Sequence, residues 1–176
     1  SLVEAEGRIY ALGGYMNWGA VYSTTDYVCY STVQPDGSLS AWAPTTRLPL
    51  KLRASGISAS YNGKVYVIGG WNEGGSGNYL PDCWMANVKP DGTLGAWEAL
   101  NPLPVPRYTH TVSIVNGWIY VIAGGDAGYD EKTVLRAKIQ PDGSFGSWSF
   151  TAPLPADRMF PAVAESGGAI HVLGGR

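Results

Sequence analysis

The chain has 176 residues, enough for one domain with a sizeable core. The 12 Lys and Arg are balanced by 14 Asp and Glu, and the net charge of −2 argues against nucleic acid or an acidic membrane surface as a partner. Only 15% of residues are charged, whereas 24 Gly, 12 Pro and 12% aromatic residues are typical of a turn-rich all-β protein. No apolar run has the length of a membrane-spanning helix, so we expect no membrane partner.

One phrase occurs three times along the chain. It reads QPDGSLSAW at 34–42, KPDGTLGAW at 89–97 and QPDGSFGSW at 140–148. A second phrase places an apolar run before a double glycine, and it begins at Gly7, Gly63, Gly117 and Gly168. A third element is Leu-Pro followed by an arginine, and its arginines are Arg53, Arg107 and Arg158. Self-similarity at intervals of about fifty residues predicts a repeat architecture.

Each unit predicts four short strands, A to D. Strand A follows the arginine, and strand B is the apolar run between glycines, a pattern typical of a strand buried on both faces. Strand C precedes the Pro-Asp-Gly turn, and strand D carries the tryptophan. Period two along strand C predicts that one set faces the interior: Cys29, Ser31 and Val33, then Trp84, Ala86 and Val88, then Leu135, Ala137 and Ile139. The alternate set, which includes Met85, is predicted to face outward.

The Pro-Asp-Gly phrase has a direct structural interpretation. Proline presets φ at the first central position of a tight turn, aspartate is tolerated at the second, and glycine takes the left-handed position that follows. The chain therefore reverses between strands C and D, and the Leu or Phe and the tryptophan that follow anchor strand D. A calcium loop of EF-hand type would need alternate oxygen ligands and a closing glutamate, and the sequence has neither here.

Four-stranded units of this length are typical of propeller blades. A double glycine after an apolar strand, with a tryptophan later in each unit, resembles the kelch repeat, and the Pro-Asp-Gly hairpin is similar to that of bacterial kelch-type proteins. The resemblance implies an all-β propeller of radially arranged, four-stranded antiparallel blades with strand A innermost. The structural residues of the pattern are Gly13, Gly14, Gly69, Gly70, Gly124, Gly125, Gly174, Gly175, Trp42, Trp97 and Trp148.

The repeats number about 3.3, whereas closed propellers have roughly four to eight blades. We divide the chain into blades at about 1–48, 49–102, 103–153 and 154–176. We expect the first blade to lack most of strand A and the last to hold strands A and B only. An open arc would expose strand edges and apolar faces. We therefore expect either the missing blades of a longer six- or seven-bladed parent, natural or engineered, or self-association that completes the ring.

The B–C loops vary while the frame stays constant, and variable loops on a rigid scaffold are where binding usually occurs. The resemblance places ligands on the face formed by the B–C and D–A loops. Aromatic rings suit the apolar faces of a sugar or peptide, and amides and carboxylates fix its orientation. The candidate ligand-binding residues in these loops are Tyr15, Trp18, Trp71, Asn72, Glu73, Asp126 and Tyr129. The alternative is that they are ordinary loop residues.

Arg53, Arg107 and Arg158 recur near the expected axis. They are candidates for a ring of guanidinium groups that binds carboxylates of a ligand. The alternative is structural, with each arginine bonded to loop carbonyls or to an acid of the neighbouring blade, and strict repetition favours it. The two histidines, His110 and His171, and the two cysteines show no metal-binding spacing, so we expect no metal and no cofactor.

Three functions are open at this point. The first is a non-catalytic module that binds a protein, a peptide or a glycan on the loop face. The second, which the resemblance allows, is a sugar-isomerising enzyme of the sialic-acid mutarotase type. A carboxylate or histidine with a shifted pKa beside the arginines would favour that enzyme. The third is a purely structural arc. The cellular compartment, secreted, surface or cytoplasmic, is left open.

Overall fold

The computed structural model describes residues 1–18, 21–49, 57–72, 79–126 and 129–176. All sixteen regular elements in these ranges are β-strands, and none is an α-helix. No helix in the described ranges is long and apolar enough to cross a membrane.

Strands of the first two units form two four-stranded antiparallel sheets in sequential order. The first blade contains β1 (Leu2–Ala5), β2 (Arg8–Trp18), β3 (Val21–Thr32) and β4 (Ala43–Pro44). The second contains β5 (Ile57–Tyr61), β6 (Lys64–Trp71), β7 (Tyr79–Asn87) and β8 (Glu98–Leu100). Each meander joins strands A, B, C and D in that order, as the repeat predicts.

The third unit adds a separate hairpin to the same plan. Its blade contains β9 (Thr111–Val115), β10 (Trp118–Ile122), β13 (Val134–Lys138) and β14 (Ser149–Thr151). Between its strands B and C, β11 (Gly125–Asp126) pairs with β12 (Tyr129–Asp130). The last unit is a two-stranded sheet of β15 (Ala162–Ser166) and β16 (Ala169–Leu173).

Two details of the strands differ from the sequence-based expectation. The first blade has a strand A, because β1 pairs with β2 from Leu2↔Ala11 to Ala5↔Arg8. Strand D does not contain the tryptophan, since β4, β8 and β14 each begin at the residue after it. The tryptophan instead lies in the short segment between the turn and the strand.

The position of the double glycine in the third blade also differs from the sequence-based expectation. Gly69 and Gly70 have φ values of 57° and 119°, and the matching pair in the third blade is Ala123 and Gly124, with φ values of 59° and 92°. Gly125 aligns in the sequence as the second glycine. In the structure it belongs to β11 and pairs with Asp130 of β12. The third blade therefore holds an alanine at the first left-handed position.

The cores lie between successive blades. Tyr10, Val28, Val65, Val67 and Leu94 belong to the cluster between the first and second blades. A larger cluster between the second and third blades contains Tyr66, Ile68, Cys83, Met85, Ile119, Val121, Leu135 and Phe145. Strands β1, β5, β9 and β15 contact one another in that order, as innermost strands of adjacent blades do. Strand B of a middle blade is therefore covered on both faces.

The outer faces of the two terminal blades are open. On the first blade Leu39 and Trp42 are 45% and 47% exposed. Of their equivalents in the next blade, Leu94 is buried in the core cluster and Trp97 is partly buried against it. On the last blade Leu173 is 55% exposed. The middle blades bury the equivalent apolar residues. We therefore still expect a partner to cover the outer faces of the two terminal blades.

Candidate binding face

The three B–C hairpins lie at one end of the blades, and the A–B and Pro-Asp-Gly turns lie at the other. The hairpins close at the pairs Trp18↔Val21, Trp71↔Tyr79 and Asp126↔Tyr129. The backbones of Tyr15, Trp18, Trp71, Asn72, Asp126 and Tyr129 therefore lie on this loop face. The side chains of Tyr15, Trp18, Asp126 and Tyr129, and all of Arg53 and Glu73, are outside the described part of the chain.

An aromatic group lies at the junction of the second and third blades. The rings of Tyr79 and Tyr108 stack with centroids 4.4 Å apart and an interplanar angle of 27°. Trp71 pairs directly across from Tyr79 in the β6–β7 ladder. Tyr79 lies on a B–C hairpin and Tyr108 on a D–A loop, so the stack joins the two kinds of loop that form this face. We call Trp71, Tyr79 and Tyr108 the aromatic group.

Sequence reasoning identified Trp71 and Asn72 but not the two tyrosines. Tyr79 lies in the same loop phrase as Trp71, and Tyr108 directly follows the repeated Arg107. The signal that could have found them is an aromatic residue in a loop beside a repeated motif. Only the fold brings the two together, since they belong to different blades.

Asn72, the residue after Trp71, carries an unsatisfied acceptor. Its Oδ1 is buried and makes no hydrogen bond within the described residues. A buried carbonyl oxygen without a donor costs roughly 1–3 kcal/mol. This atom is enclosed within the chain, so it is not available to a ligand on the loop face.

Two of the three repeated arginines, Arg107 and Arg158, lie in the described part of the chain, and both form hydrogen bonds within the propeller blades. The Arg107 guanidinium donates to the Ala123 carbonyl at 3.2 Å and to the Thr133 hydroxyl, and it lies 3.9 Å from a Glu131 carboxylate oxygen. Arg158 donates to the Gly174 carbonyl at 2.7 Å. Ala123 and Gly174 are the first positions of the double glycine in successive blades, so the two arginines repeat one contact.

The arginine backbones join one blade to the next. The Arg107 carbonyl accepts from Gly70 N–H at 2.7 Å, and the Arg158 carbonyl accepts from Gly124 N–H at 2.9 Å. Each arginine therefore binds the double glycine of the preceding blade with its main chain and that of its own blade with its side chain. Arg107 is 2% exposed, so its guanidinium is not available on the loop face.

His110 is enclosed by the double-glycine positions of the second and third blades. It is 1% exposed, and neither ring nitrogen makes a hydrogen bond in the described structure. A Cβ on Gly69 would lie 3.0 Å from the His110 Cε1, and one on Gly124 would lie 2.7 Å from the His110 Cβ. Burial, and secondarily the charge of Arg107, lowers the pKa of His110 to about 3, and the nearby Ile68 backbone only partly opposes this. The imidazole is therefore neutral at neutral pH.

The opposite end of the blades is built by the Pro-Asp-Gly turns. In each turn the glycine N–H donates to the carbonyl oxygen of the residue before proline at 2.8 or 2.9 Å. The glycine has a left-handed conformation, as predicted. The aspartate accepts from the N–H and hydroxyl of the Ser or Thr two residues later. These hydrogen bonds lower the pKa of Asp36, Asp91 and Asp142.

The same turns also hold neighbouring blades together, which the sequence did not reveal. The hydroxyl of Tyr10 donates to the Gly92 carbonyl at 2.8 Å, and that of Tyr66 donates to the Gly143 carbonyl at 3.2 Å. Burial raises the pKa of Tyr66 to about 12. A tyrosine on strand B of one blade thus binds the turn of the next.

We expect Tyr66→Phe to lower the free energy of unfolding by about 1 kcal/mol, because it removes one buried hydrogen bond and leaves the Gly143 carbonyl without its donor. Urea denaturation measures the change. Tyr120→Phe is the matched control, because the Tyr120 hydroxyl makes no hydrogen bond within the described residues and its removal leaves the unfolding free energy nearly unchanged. Equal losses in the two variants would contradict this role for the Tyr66 hydroxyl.

Comparison with known proteins agrees with the repeat pattern and the blades. A family model described as the Kelch motif matches residues 58–85, which extend from β5 to β7. This chain is a kelch-repeat protein. The kelch repeat and BTB domain-containing protein 12 of Homo sapiens is 30% identical over 167 residues, which cover 89% of this chain and 25% of that protein.

Other similar proteins point the same way. Kelch-like protein 33 of Homo sapiens is 35% identical over 109 residues, 61% of this chain and 17% of that protein. This kelch chain thus spans a quarter or less of the length of these relatives. Its fold is similar to a solved structure of YjhT, with a TM-score of 0.74 over 97% of this chain and 55% of that one, at 17% identity.

The described ranges hold no group of three His, Cys, Asp or Glu residues arranged to bind a metal ion. Both cysteines are free thiols, Cys29 partly exposed and Cys83 buried. Burial raises the pKa of the Cys83 thiol to about 12. Cys83 is therefore an unreactive core residue at neutral pH.

Proposed function

We propose that this kelch chain is a non-catalytic binding module that recognises a peptide segment of a partner protein, or a glycan, on its loop face. The observation that carries the proposal is the aromatic group, in which Tyr79 stacks on Tyr108 and pairs across from Trp71 on the loop face. Stacked tyrosines offer a rigid apolar surface at little cost in side-chain entropy. Both peptides and sugars have apolar faces that can pack on such a surface.

The position of the aromatic group also favours this function. It spans two blades, so a ligand bound there contacts a surface that only the assembled fold creates. The scaffold beneath it is fixed by the Arg107 contacts to Gly70 and Ala123. A rigid support under exposed loops is the usual arrangement of a recognition surface.

The enzyme alternative gains no support from His110. That histidine lies beside Arg107 and has a strongly lowered pKa, as the enzyme hypothesis required. It is also sealed between two glycine positions and the innermost strands. A general acid or base must come within hydrogen-bond reach of its substrate, and an enclosed imidazole does not.

Binding screens with substitutions in the aromatic group test the proposal. The chain is first screened against peptide and glycan libraries, and each ligand found is titrated by calorimetry. We expect Tyr108→Ala to weaken its binding by about 10-fold or more, because a stacked aromatic contact contributes on the order of 1–3 kcal/mol with its buried area.

Tyr27→Ala is the matched control. Tyr27 is an exposed aromatic residue of the first blade, 41% exposed, and lies against Arg47 instead of the aromatic group. Its loss leaves affinity unchanged if the ligand binds at the junction of the second and third blades. Equal affinity for the Tyr108→Ala and parent chains would contradict the site, and failure of both libraries to give a ligand would contradict the function.

A further inference from the structure

A cavity of about 490 Å³ lies between the first and second blades, at the end opposite the loop face. It is surrounded by the A–B turns of the two blades and by the segment that enters the second Pro-Asp-Gly turn. Both blades have all four strands, so the cavity belongs to a complete junction. We call it the turn-face cavity, and its lining includes Glu6, Arg8, Asn62, Gly63, Val88 and Lys89.

In the next junction, between the second and third blades, the corresponding place is filled by the chain itself. A Cβ on Gly117 would lie 3.1 Å from Lys138 Nζ and 3.5 Å from the Tyr61 hydroxyl oxygen. Lys138 Nζ also donates to the Asn116 carbonyl at 3.2 Å. A lysine ammonium therefore lies over the A–B turn of the third blade and is bonded to the carbonyl of the first turn residue.

The residues that fill the next junction are replaced by shorter ones at the turn-face cavity. Asn87 stands at the register position of Lys138, and Ala5 replaces the tyrosine before the A–B turn of the preceding blade. A Cβ on Gly63 would have one close neighbour among the described residues, Glu6 Oε1 at 3.7 Å. These replacements leave the space over the A–B turn of the second blade open.

The filled junction shows which chemical group fits this space. An ammonium there donates to the carbonyl of the first turn residue, and in the turn-face cavity that carbonyl belongs to Asn62. The Glu6 carboxylate lies next to Gly63, at a position where the next junction has an uncharged asparagine. Within the described residues, neither the Asn62 carbonyl nor the Glu6 carboxylate makes a hydrogen bond or an ion pair. An ammonium group brought by a ligand would find both as partners.

The backbone at Glu6 supports a role for its carboxylate. Glu6 has φ of 52°, and the first residues of the next two A–B turns, Asn62 and Asn116, have φ of 47° and 52°. Asparagine adopts this left-handed conformation more readily than glutamate does. Strained residues of this kind cluster at ligand-binding sites. The turn alone favours asparagine, so the glutamate points to a function in the cavity.

The part of the cavity near the Pro-Asp-Gly turn is positively charged. The Arg8 guanidinium donates to the Pro90 carbonyl at 3.3 Å and to the Glu6 carbonyl at 3.1 Å, which fixes it across the junction. Lys89 precedes Pro90, is exposed and forms no ion pair within the described residues. A ligand with an ammonium group alone would be repelled by these two cations. A ligand that also carries a carboxylate matches both signs of charge.

From this arrangement we propose that the turn-face cavity binds a free amino acid through its ammonium and carboxylate groups. The ammonium lies between the Glu6 carboxylate and the Asn62 carbonyl, and the carboxylate faces Arg8 and Lys89. Val88 adds an apolar part to the wall, which favours an apolar side chain on the ligand. The site lies apart from the loop face and is independent of the function proposed for that face.

The probe is L-leucine, which is titrated into the full 176-residue chain while amide NMR shifts of residues 62–63 and 88–89 are followed. We expect saturable binding of one molecule per chain with a dissociation constant of about 1 mM or lower. Two analogues separate the charged groups, since isopentylamine is leucine without the carboxylate and isocaproate is leucine without the ammonium. Each is expected to bind at least about 10-fold more weakly, because it loses a charge-assisted hydrogen bond.

Glu6→Asn tests the site without disturbing the turn, because asparagine is the residue that the next two A–B turns use. It is expected to weaken L-leucine binding by about 10-fold or more, while the free energy of unfolding stays equal or rises. Glu4→Gln is the matched control. It removes a carboxylate of the same turn that lies outside the cavity, and its amide oxygen can still accept from the Gly7 N–H, so the affinity for L-leucine stays unchanged.

Lys89→Gln tests the other end of the ligand. Glutamine stands at the equivalent position of the third blade, Gln140, so the turn tolerates it. The variant is expected to weaken L-leucine several-fold and not to weaken isopentylamine. The proposal is overturned if L-leucine causes no shifts on the turn face at roughly 10 mM, where a site of this affinity would be nearly saturated. It is also overturned if either analogue binds as tightly as L-leucine, or if Glu6→Asn binds L-leucine as tightly as the parent chain does.

Discussion

Gly124→Ala is expected to destabilise this chain by about 2–5 kcal/mol. The Cβ of the alanine would lie 2.7 Å from the Tyr108 carbonyl oxygen, 2.8 Å from the His110 nitrogen and 2.7 Å from the His110 Cβ. Two of these atoms belong to the backbone and the third is fixed to it, so no flexible side chain can move aside. Overpacking of this kind costs roughly 1–3 kcal/mol.

Backbone conformation adds to the steric cost. Gly124 has φ of +92°, and a residue with a Cβ loses about 1–2 kcal/mol in left-handed conformations. Relief of the clash would have to move the 107–110 segment, which carries the Arg107 contacts between blades. Urea denaturation followed by tryptophan fluorescence measures the unfolding free energy.

Gly37→Ala is the matched control for Gly124→Ala. Gly37 has a similar φ of +83°, but no heavy atom lies within 4 Å of the position of an added Cβ. It therefore shares the conformational cost and lacks the steric one, and we expect a loss of only about 1–2 kcal/mol. Equal losses of stability at the two positions would show that backbone strain alone accounts for the cost of replacing Gly124. Close packing of Gly124 against Tyr108 and His110 would then contribute little.

The fold was predictable from sequence because its determinants are local and repeated. The left-handed glycine of each Pro-Asp-Gly turn and the apolar run of strand B are visible in any one unit. Met85 shows where a local pattern fails. Period two predicted that it faces outward, yet it is 6% exposed, because in a middle blade the next blade covers that face too. The shift of the double glycine to Ala123 and Gly124 was hidden by one inserted residue.

The binding face was only partly predictable, because its residues meet across blades. The hairpins that carry Trp71 and Asn72 were identified from their variability, but the stacking of Tyr79 on Tyr108 depends on the packing of two sheets. The arginine contacts are non-local in the same way. Repetition of Arg107 and Arg158 suggested a structural role, whereas the identity of their partners, the carbonyls of Ala123 and Gly174, required the strands to be placed.

Acid is expected to destabilise the chain through His110. Burial lowers the pKa of this imidazole from its usual 6.5 to about 3 in the folded chain. Between these two pH values the unfolded chain binds a proton that the folded chain does not. The stability contributed by the neutral imidazole is therefore fully present above pH 6.5 and falls as the pH is lowered, by up to about 1.4 kcal/mol per pH unit. From pH 7 to about 4.5 the expected loss is roughly 2–3 kcal/mol.

His110→Gln removes the titrating group and is expected to flatten this pH dependence, whatever its effect on absolute stability. His171→Gln is the control, because His171 lies on the exposed face of the last blade and not between the two glycines. Measurements stop near pH 4.5. Hydrogen bonds lower the pKa of Asp36, Asp91 and Asp142 in the folded chain, so protonation of these aspartates in the unfolded chain adds a second pH dependence in more acidic solution. If the unfolding free energy of His110→Gln depends on pH as steeply as that of the parent chain, the imidazole must be able to gain a proton in the folded chain. A hydrogen-bond partner for the protonated ring would then have to exist between Gly69 and Gly124.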